Sequence, residues 1–257
     1  MRSLCRIMSG SSPDEEPPSL RSDTLAALAS FFAERDAAVA AEAREADVHA
    51  TGGALVTQED WQLSQFWYDI KTGEMLAQEI LTLAQAHRQA RGGVGQVTVA
   101  VLSAPSAYKA LLAAGPPEWL AHWLFEYDAR FAAFGASFVH YDFNAPDVFP
   151  RQLTSCVDII IMDPPFLNAD TLRCFAATAS LLRAGEEARL MLCTGAVMLT
   201  AARELLGVRP VRAHVGHANR LSNPFCLYVN YDEEGRLGGV DAEAEAAAER
   251  DSGPGGA

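Results

Sequence analysis

Asp163-Pro164-Pro165-Phe166 is the run of this chain whose residue types and spacing best suit chemistry. A carboxylate and a proline carbonyl both accept hydrogen bonds, so together they can take the two N–H hydrogens of an NH2 group and leave its lone pair aimed outward. Phe166 sets a flat apolar face beside them. Two consecutive prolines restrict φ and push the residues before them toward extended backbone, so the acceptors and the ring are held as one rigid corner. Asp163, Pro164, Pro165 and Phe166 are therefore the candidate catalytic group, and the task they suit is gripping an amine. The competing reading is a strand followed by a Pro-Pro turn whose Asp caps the next helix.

Such a corner has to be carried by an element that stops at Asp163. The preceding Ile159 to Met162 are four apolar residues, enough for a strand buried on both faces, and prolines without an N–H cannot continue it. In an open α/β sheet, residues just past the carboxyl end of a central strand face the ligand crevice. Val97 to Leu102 reads as the first parallel strand, followed by Ser103-Ala104-Pro105-Ser106 and a helix through Leu112. A nucleotide-type cofactor would sit at that strand end and helix start. The expected glycine fingerprint is missing, but small Ser103 and Ala104 still allow close backbone approach, so Ser103, Ala104 and Pro105 are candidate cofactor residues. Trp119 to Phe125 reads as a second strand leading into Glu126-Tyr127-Asp128. An acid there can accept from both hydroxyls of a cofactor ribose, and Glu126 is assigned that role while Asp128 is assigned a cap. Phe138 to Tyr141 is a short third strand, and Asp142 after it can accept from the exocyclic amine of an adenine.

The remaining chain supports one domain. Residues 1–19 are expected to be a disordered arm and 235–257 a disordered acidic tail, because their compositions cannot bury enough surface to order themselves. The domain spans 20–234 and includes a helical segment over 20–90, with a helix from Thr72 to Ala90. Between the helices of that segment lies Trp61-Gln62-Leu63-Ser64-Gln65-Phe66-Trp67-Tyr68, dense in aromatics and uncharged polar groups. It reads either as core-plugging aromatics or as a lid, with Gln65 toward the cofactor and Trp61, Phe66 and Trp67 toward a substrate amine. Further strands are expected at Arg189–Cys193, Val211–Val215 and Phe225–Tyr231, with helices at Asp170–Arg183 and Thr200–Leu206. Strand and helix alternate five times and two strands close the chain. That order predicts an α/β fold with a mostly parallel sheet and an antiparallel last strand. His214 and His217 lie on opposite faces of an extended segment and are not read as a metal pair; His217 and Asn223 are read as walls of the substrate site.

Composition narrows the function classes. With 49% hydrophobic residues in 257 and a mean hydropathy near zero, the chain has the composition of a water-soluble globular protein. No run approaches the roughly 18 apolar residues that span a bilayer, so a cytoplasmic enzyme without a membrane partner is expected. Five widely spaced cysteines suggest neither a disulfide framework nor a zinc cluster. The net charge is −13; the span 232–251, with eight acids against two arginines, contributes −6 and the rest −7. Such a field disfavours nucleic acid as main partner and suits a basic one.

Taken together, Gln62-Leu63-Ser64-Gln65-Phe66-Trp67-Tyr68, Ser103-Ala104-Pro105-Ser106, Phe125-Glu126-Tyr127-Asp128, Asp163-Pro164-Pro165-Phe166, Leu192-Cys193-Thr194-Gly195 and Tyr228-Val229-Asn230-Tyr231 resemble the elongation factor 1-alpha lysine methyltransferase 1 family, formerly described as an N6-adenine DNA methyltransferase. The resemblance covers roughly residues 20–232. It implies a Rossmann-like seven-stranded class I methyltransferase domain, S-adenosyl-L-methionine as donor and a lysine of translation elongation factor 1-alpha as acceptor. Phe166 stands where members often carry Tyr, and Pro224 and Cys226 stand where charged residues are usual. The rival readings are an adenine N6 or guanine N2 methyltransferase, whose planar amine the same corner would hold, and a non-catalytic binding module that keeps the fold.

Overall fold

In the computed structural model, which describes residues 67–218 and 224–251, the apolar runs of the chain form one seven-stranded sheet. In chain order the elements are α1 (Ile70–Ala90), β1 (Val97–Leu102), α2 (Pro105–Ala113), β2 (Leu120–Glu126), a 3-10 segment (Ala129–Ser137), β3 (Phe138–His140), β4 (Ile159–Met162), α3 (Ala169–Leu182), β5 (Arg189–Gly195), α4 (Leu199–Leu206), β6 (Arg209–His214), β7 (Phe225–Val229) and α5 (Ala242–Asp251).

The sheet order is β3-β2-β1-β4-β5-β7-β6. Strands β3, β2, β1, β4 and β5 pair in parallel, whereas β7 is antiparallel to both its neighbours. The chain winds from β1 outward to β3, then returns to lay β4 on the other side of β1. The winding therefore reverses between β1 and β4, and ligands of open α/β sheets bind at the carboxyl ends of strands at such a point.

Burial explains why these two strands are central. Strand β4 is buried at all four residues and β1 at five of six, so both read as unbroken apolar runs. Alternate side chains feed opposite faces. Ile159 and Ile161 pack with Leu76, Ile80, Tyr108 and Leu111 of α1 and α2. Ile160 and Met162 pack with Leu172, Phe175 and Leu182 of α3.

Three expectations are corrected. First, strand and helix do not alternate throughout: β2 joins β3 through the 3-10 segment, broken at Gly135 (φ 65°), and β3 joins β4 through a loop with one short 3-10 turn at Arg151–Leu153. Second, β6 begins at Arg209 rather than Val211, because Pro210 lies in an edge strand where its missing N–H leaves no partner unpaired. Third, the tail expected to be disordered from 235 carries α5 and covers the outer edge of β6. There Arg212 N–H donates to Gly239 O (3.0 Å), Asp241 N–H to Pro210 O (2.9 Å), and Arg209 pairs with Glu245 at 2.9 and 3.0 Å. The Ala and Glu that read as low complexity are also strong helix formers, and an open sheet edge favours a cover. Among the described residues, no helix is long and apolar enough to cross a membrane.

The same tail is tied to α1. Glu79, 3% exposed, accepts from Arg236 Nε and Nη2 at 2.9 Å each and from the Tyr231 hydroxyl at 3.1 Å. Replacing Arg236 by Met strands a buried carboxylate and should lower the unfolding free energy by about 3 kcal/mol in urea titrations, with E79Q/R236M recovering part of the loss.

Candidate functional site

Three backbone hydrogen bonds lace the carboxyl ends of the strands together. Ser103 N–H donates to Phe125 O (2.8 Å), Asp163 N–H to Leu102 O (3.0 Å) and Tyr141 N–H to Glu126 O (3.1 Å). Ser103, Glu126, Asp142 and Asp163 thus end on one edge, at β1, β2, β3 and β4. Adjacent strands lie about 4.8 Å apart, which sets Glu126 and Asp163 about 10 Å apart across β1.

Asp163 does not cap α3. Asn168 does, its side chain accepting from Thr171 N–H at 2.8 Å, so the Asp163 carboxylate is left for another use. Among the described residues, neither the Pro164 nor the Pro165 carbonyl accepts a backbone hydrogen bond, so each remains an available acceptor. Pro164 is buried, and the Phe166 ring, 45% exposed, is braced edge-on by Phe143 with centroids 6.2 Å apart.

The partner of Asp163 comes from the far end of the domain. The Tyr68 hydroxyl donates to Asp163 Oδ2 at 2.6 Å. Tyr68 sits just before α1, where Asp69 caps the helix by accepting from Thr72 N–H at 2.7 Å. Asp69 N–H donates to Gly216 O (3.0 Å) and Ala218 N–H to Trp67 O (2.9 Å), so this segment is stitched antiparallel to the stretch after β6. Gly216 leaves room for the Asp69 carboxylate, since a Cβ there would lie 2.2 Å from Asp69 Oδ2 and force that side chain to shift. Tyr68 N–H also donates to Ser106 Oγ (3.3 Å) at the start of α2. The buried thiol of Cys193 in β5 lies against the Tyr68 phenol and within electrostatic reach of Asp163.

This environment perturbs the carboxylate. Loss of solvent pushes the Asp163 pKa from 3.8 up to about 7; the Tyr68 hydrogen bond opposes that rise and the charge of Glu126 adds to it. Burial, with the nearby Asp163 charge, pushes the Tyr68 phenol well above 10, so it stays a donor.

The positions expected to meet a cofactor form a second group on the same edge. Ser103 adopts a left-handed backbone (φ 52°), the conformation that glycine usually supplies at such a turn. Ala104 precedes α2 without a side-chain cap, and Pro105 opens the helix. Glu126, 4% exposed, accepts from Asp128 N–H (3.1 Å), while Asp128 caps the 3-10 segment through Arg130 N–H (2.9 Å). Asp142 accepts from Asn144 N–H and Nδ2 at 2.9 Å each. A narrow turn of small residues beside a buried acid and a second acid one strand further on is a donor and acceptor set that fits an adenosyl cofactor.

Of the expected substrate residues, Phe166 joins the Asp163 corner. The His217 ring lies 5.3 Å from that of Tyr68 and 4.7 Å from that of Phe225. Trp67 is partly buried on the α1–α2 side of the core, with Lys109 Nζ 4.4 Å from its ring centroid. Trp61, Gln65, Phe66 and Asn223 lie outside the described residues. Tyr68 was not among the expected site residues. Its position as the last residue of the aromatic run, next to a helix-capping Asp, is the one signal that pointed to it.

Comparison with known proteins adds an independent line. A family model described as "Probable N6-adenine methyltransferase" matches residues 59–233. The chain is 39% identical over 220 residues to EEF1A lysine methyltransferase 1 of Homo sapiens, covering 85% of this chain and 94% of that protein. It is 38% identical to the Mus musculus protein of the same name, covering 91% and 99%. It is 34% identical to the Caenorhabditis elegans protein-lysine N-methyltransferase M142.8, covering 86% and 97%. A solved SAM-dependent methyltransferase from Aquifex aeolicus aligns over 58% of this chain and 90% of its own, with 12% identity and a TM-score of 0.37.

The raised pKa carries a stability consequence with a definite sign. Between pH 3.8 and about 7 the folded carboxyl holds a proton that the unfolded one has lost, so its ionisation penalty grows as pH rises and is complete above 7. Asp163→Asn removes that penalty. Its gain in unfolding free energy over wild type should be larger at pH 8 than at pH 5 by about 2 kcal/mol in urea titrations, the full linkage value being discounted for residual exposure.

Proposed function

Because this chain belongs to the EEF1A lysine methyltransferase 1 family, we propose that it transfers a methyl group from S-adenosylmethionine to a lysine side chain of translation elongation factor 1-alpha, as a cytoplasmic enzyme. It is a protein-lysine N-methyltransferase by family. The observation that carries the proposal is the Asp163 corner, in which one carboxylate oxygen and the proline carbonyls take no hydrogen bond from any described residue, beside an exposed ring and beginning at the residue whose N–H closes the end of β4 onto β1.

S-adenosylmethionine, when bound, supplies an electrophilic methyl on sulfur. Ser103, Ala104 and Pro105 would allow its close approach, with Glu126 accepting from the ribose hydroxyls and Asp142 from the adenine amine. The acidic chain draws in a cationic side chain, and the Phe166 face can hold an ammonium by a cation–π contact of about 0.5–2 kcal/mol. Methyl transfer requires the free amine, and the poorly solvated site disfavours the charged form, so the proton leaves to water. Asp163 and a proline carbonyl then accept the two N–H hydrogens and aim the lone pair. Asp163 attracts the cation and so opposes its deprotonation, which makes orientation its role.

The matching family is described as a probable N6-adenine methyltransferase, which favours adenine as acceptor, a planar amine the same corner would suit. The net charge of −13 weighs against it, because binding a phosphate backbone needs cationic surface. Incubation with methyl-labelled S-adenosylmethionine, purified elongation factor 1-alpha, RNA and DNA decides between them. The label is expected on one or more lysines of the protein. Asp163→Asn should lower kcat by about 100-fold while the KM for the donor changes little. Label on nucleic acid, or donor binding without turnover on any of the three, would contradict the proposal.

A further inference from the structure

We propose that Tyr68 is a positioning residue of this site, its phenol holding Asp163 Oδ2 so that a single oxygen, Oδ1, is presented to the acceptor nitrogen. The proposal rests on the reading of Asp163 as the group that orients the amine.

A carboxylate has two equivalent oxygens on a broad terminal torsion and does not by itself select which one faces a ligand. The 2.6 Å hydrogen bond from Tyr68 removes that freedom. Among the described residues it is the one side-chain hydrogen bond the carboxylate receives, and it is made to one oxygen only. The donor is itself fixed at both ends. Tyr68 is 6% exposed, and its ring lies against His217 and the Cys193 thiol. Its backbone is bridged to His217 on one side and bonded to Ser106 Oγ on the other. Asp69, the residue that follows, is held by its cap on α1 and by the bond from its N–H to Gly216 O, so the backbone that carries the phenol is anchored on both sides.

The pairing also sets the charge state in which the carboxylate works. A hydrogen bond to the ionised form favours that form. Among the described residues, the titratable groups that act on or lie near Asp163 are Tyr68 from the segment before α1, Glu126 from the end of β2 through its charge, and Cys193 from β5, with His217 behind the phenol. Desolvation and the Glu126 charge push a proton onto Asp163, and Tyr68 acts against them. The phenol keeps its own proton throughout the range in which the carboxylate titrates, so it serves as a donor and not as a base.

Tyr68→Phe keeps the ring and removes the donor. A 13C NMR titration of the Asp163 side-chain carboxyl in the full chain should show its midpoint rise by about one pH unit in Y68F, the size expected for losing one hydrogen bond to a charged group. Site-specific 3-fluorotyrosine at position 68, a stronger donor of nearly the same shape, should move the midpoint down. The acidic limb of the pH–kcat profile on elongation factor 1-alpha should follow both shifts, with the KM for S-adenosylmethionine within about twofold of wild type. Should Y68F fail to fold, the fluorinated protein alone decides. An unmoved midpoint and unmoved limb in folded protein overturn the proposal and leave the methyltransferase reading standing. A wild-type protein that methylates no protein overturns that reading and this proposal with it, and needs no variant to be recognised.

Discussion

An acidic side chain with little water around it, at the point where the sheet reverses its winding, is the constraint on which the rest of this molecule depends. Asp163 would be more stable in solvent, and its pKa of about 7 records the cost of its surroundings. What keeps it there is the burial of β1 and β4 on both faces, which fixes the strand ends and lets Asp163 N–H close onto Leu102 O. The prolines stop the strand at that residue and nowhere else. Phe143, reaching from the loop after β3, holds the Phe166 ring alongside.

Parts that are distant in the chain converge on this carboxylate. The segment before α1 is locked to the stretch after β6 by bonds that include Asp69, Thr72 and Gly216, and the phenol of Tyr68 emerges from that junction. The same residue touches Ser106, three positions past the Ser103 turn assigned to the cofactor. The corner proposed for the amine and the turn proposed for the cofactor therefore share a support. On the opposite flank, the acidic tail covers the edge of β6 and anchors through Arg236 and Glu79, which removes an open sheet edge and ties α1 to the end of the chain.

Much of this was legible in the residues because it depends on local pattern. A buried four-residue run ended by two prolines can hardly be anything but a central strand with an acid at its tip, and β4 lies where that logic puts it. The cap at Asp128 was also readable, because an Asp one residue before a helical turn has an obvious local use. The antiparallel last strand followed from two strands without a helix between them.

What escaped was non-local or conformational. Nothing near Asp163 in sequence announces Tyr68, 95 residues away, since only the fold brings them within 2.6 Å. The left-handed turn at Ser103 hides behind a residue type that rarely adopts it, so the missing glycines looked like a loss when the backbone makes the same turn without them. The tail was misread because Ala and Glu suit both a disordered chain and a helix, and the choice between them is made by Arg209 and the β6 edge. The account stands or falls on where the acceptor nitrogen meets the protein. A crystal structure with a bisubstrate analogue, in which an adenosyl group is joined through the methyl-transfer position to the nitrogen of a lysine side chain, measures this directly. The nitrogen is expected within about 3.2 Å of Asp163 Oδ1 and of a Pro164 or Pro165 carbonyl, with the side chain against Phe166. A nitrogen held by other acceptors, with the Asp163 carboxylate turned away from it, would contradict the central claim.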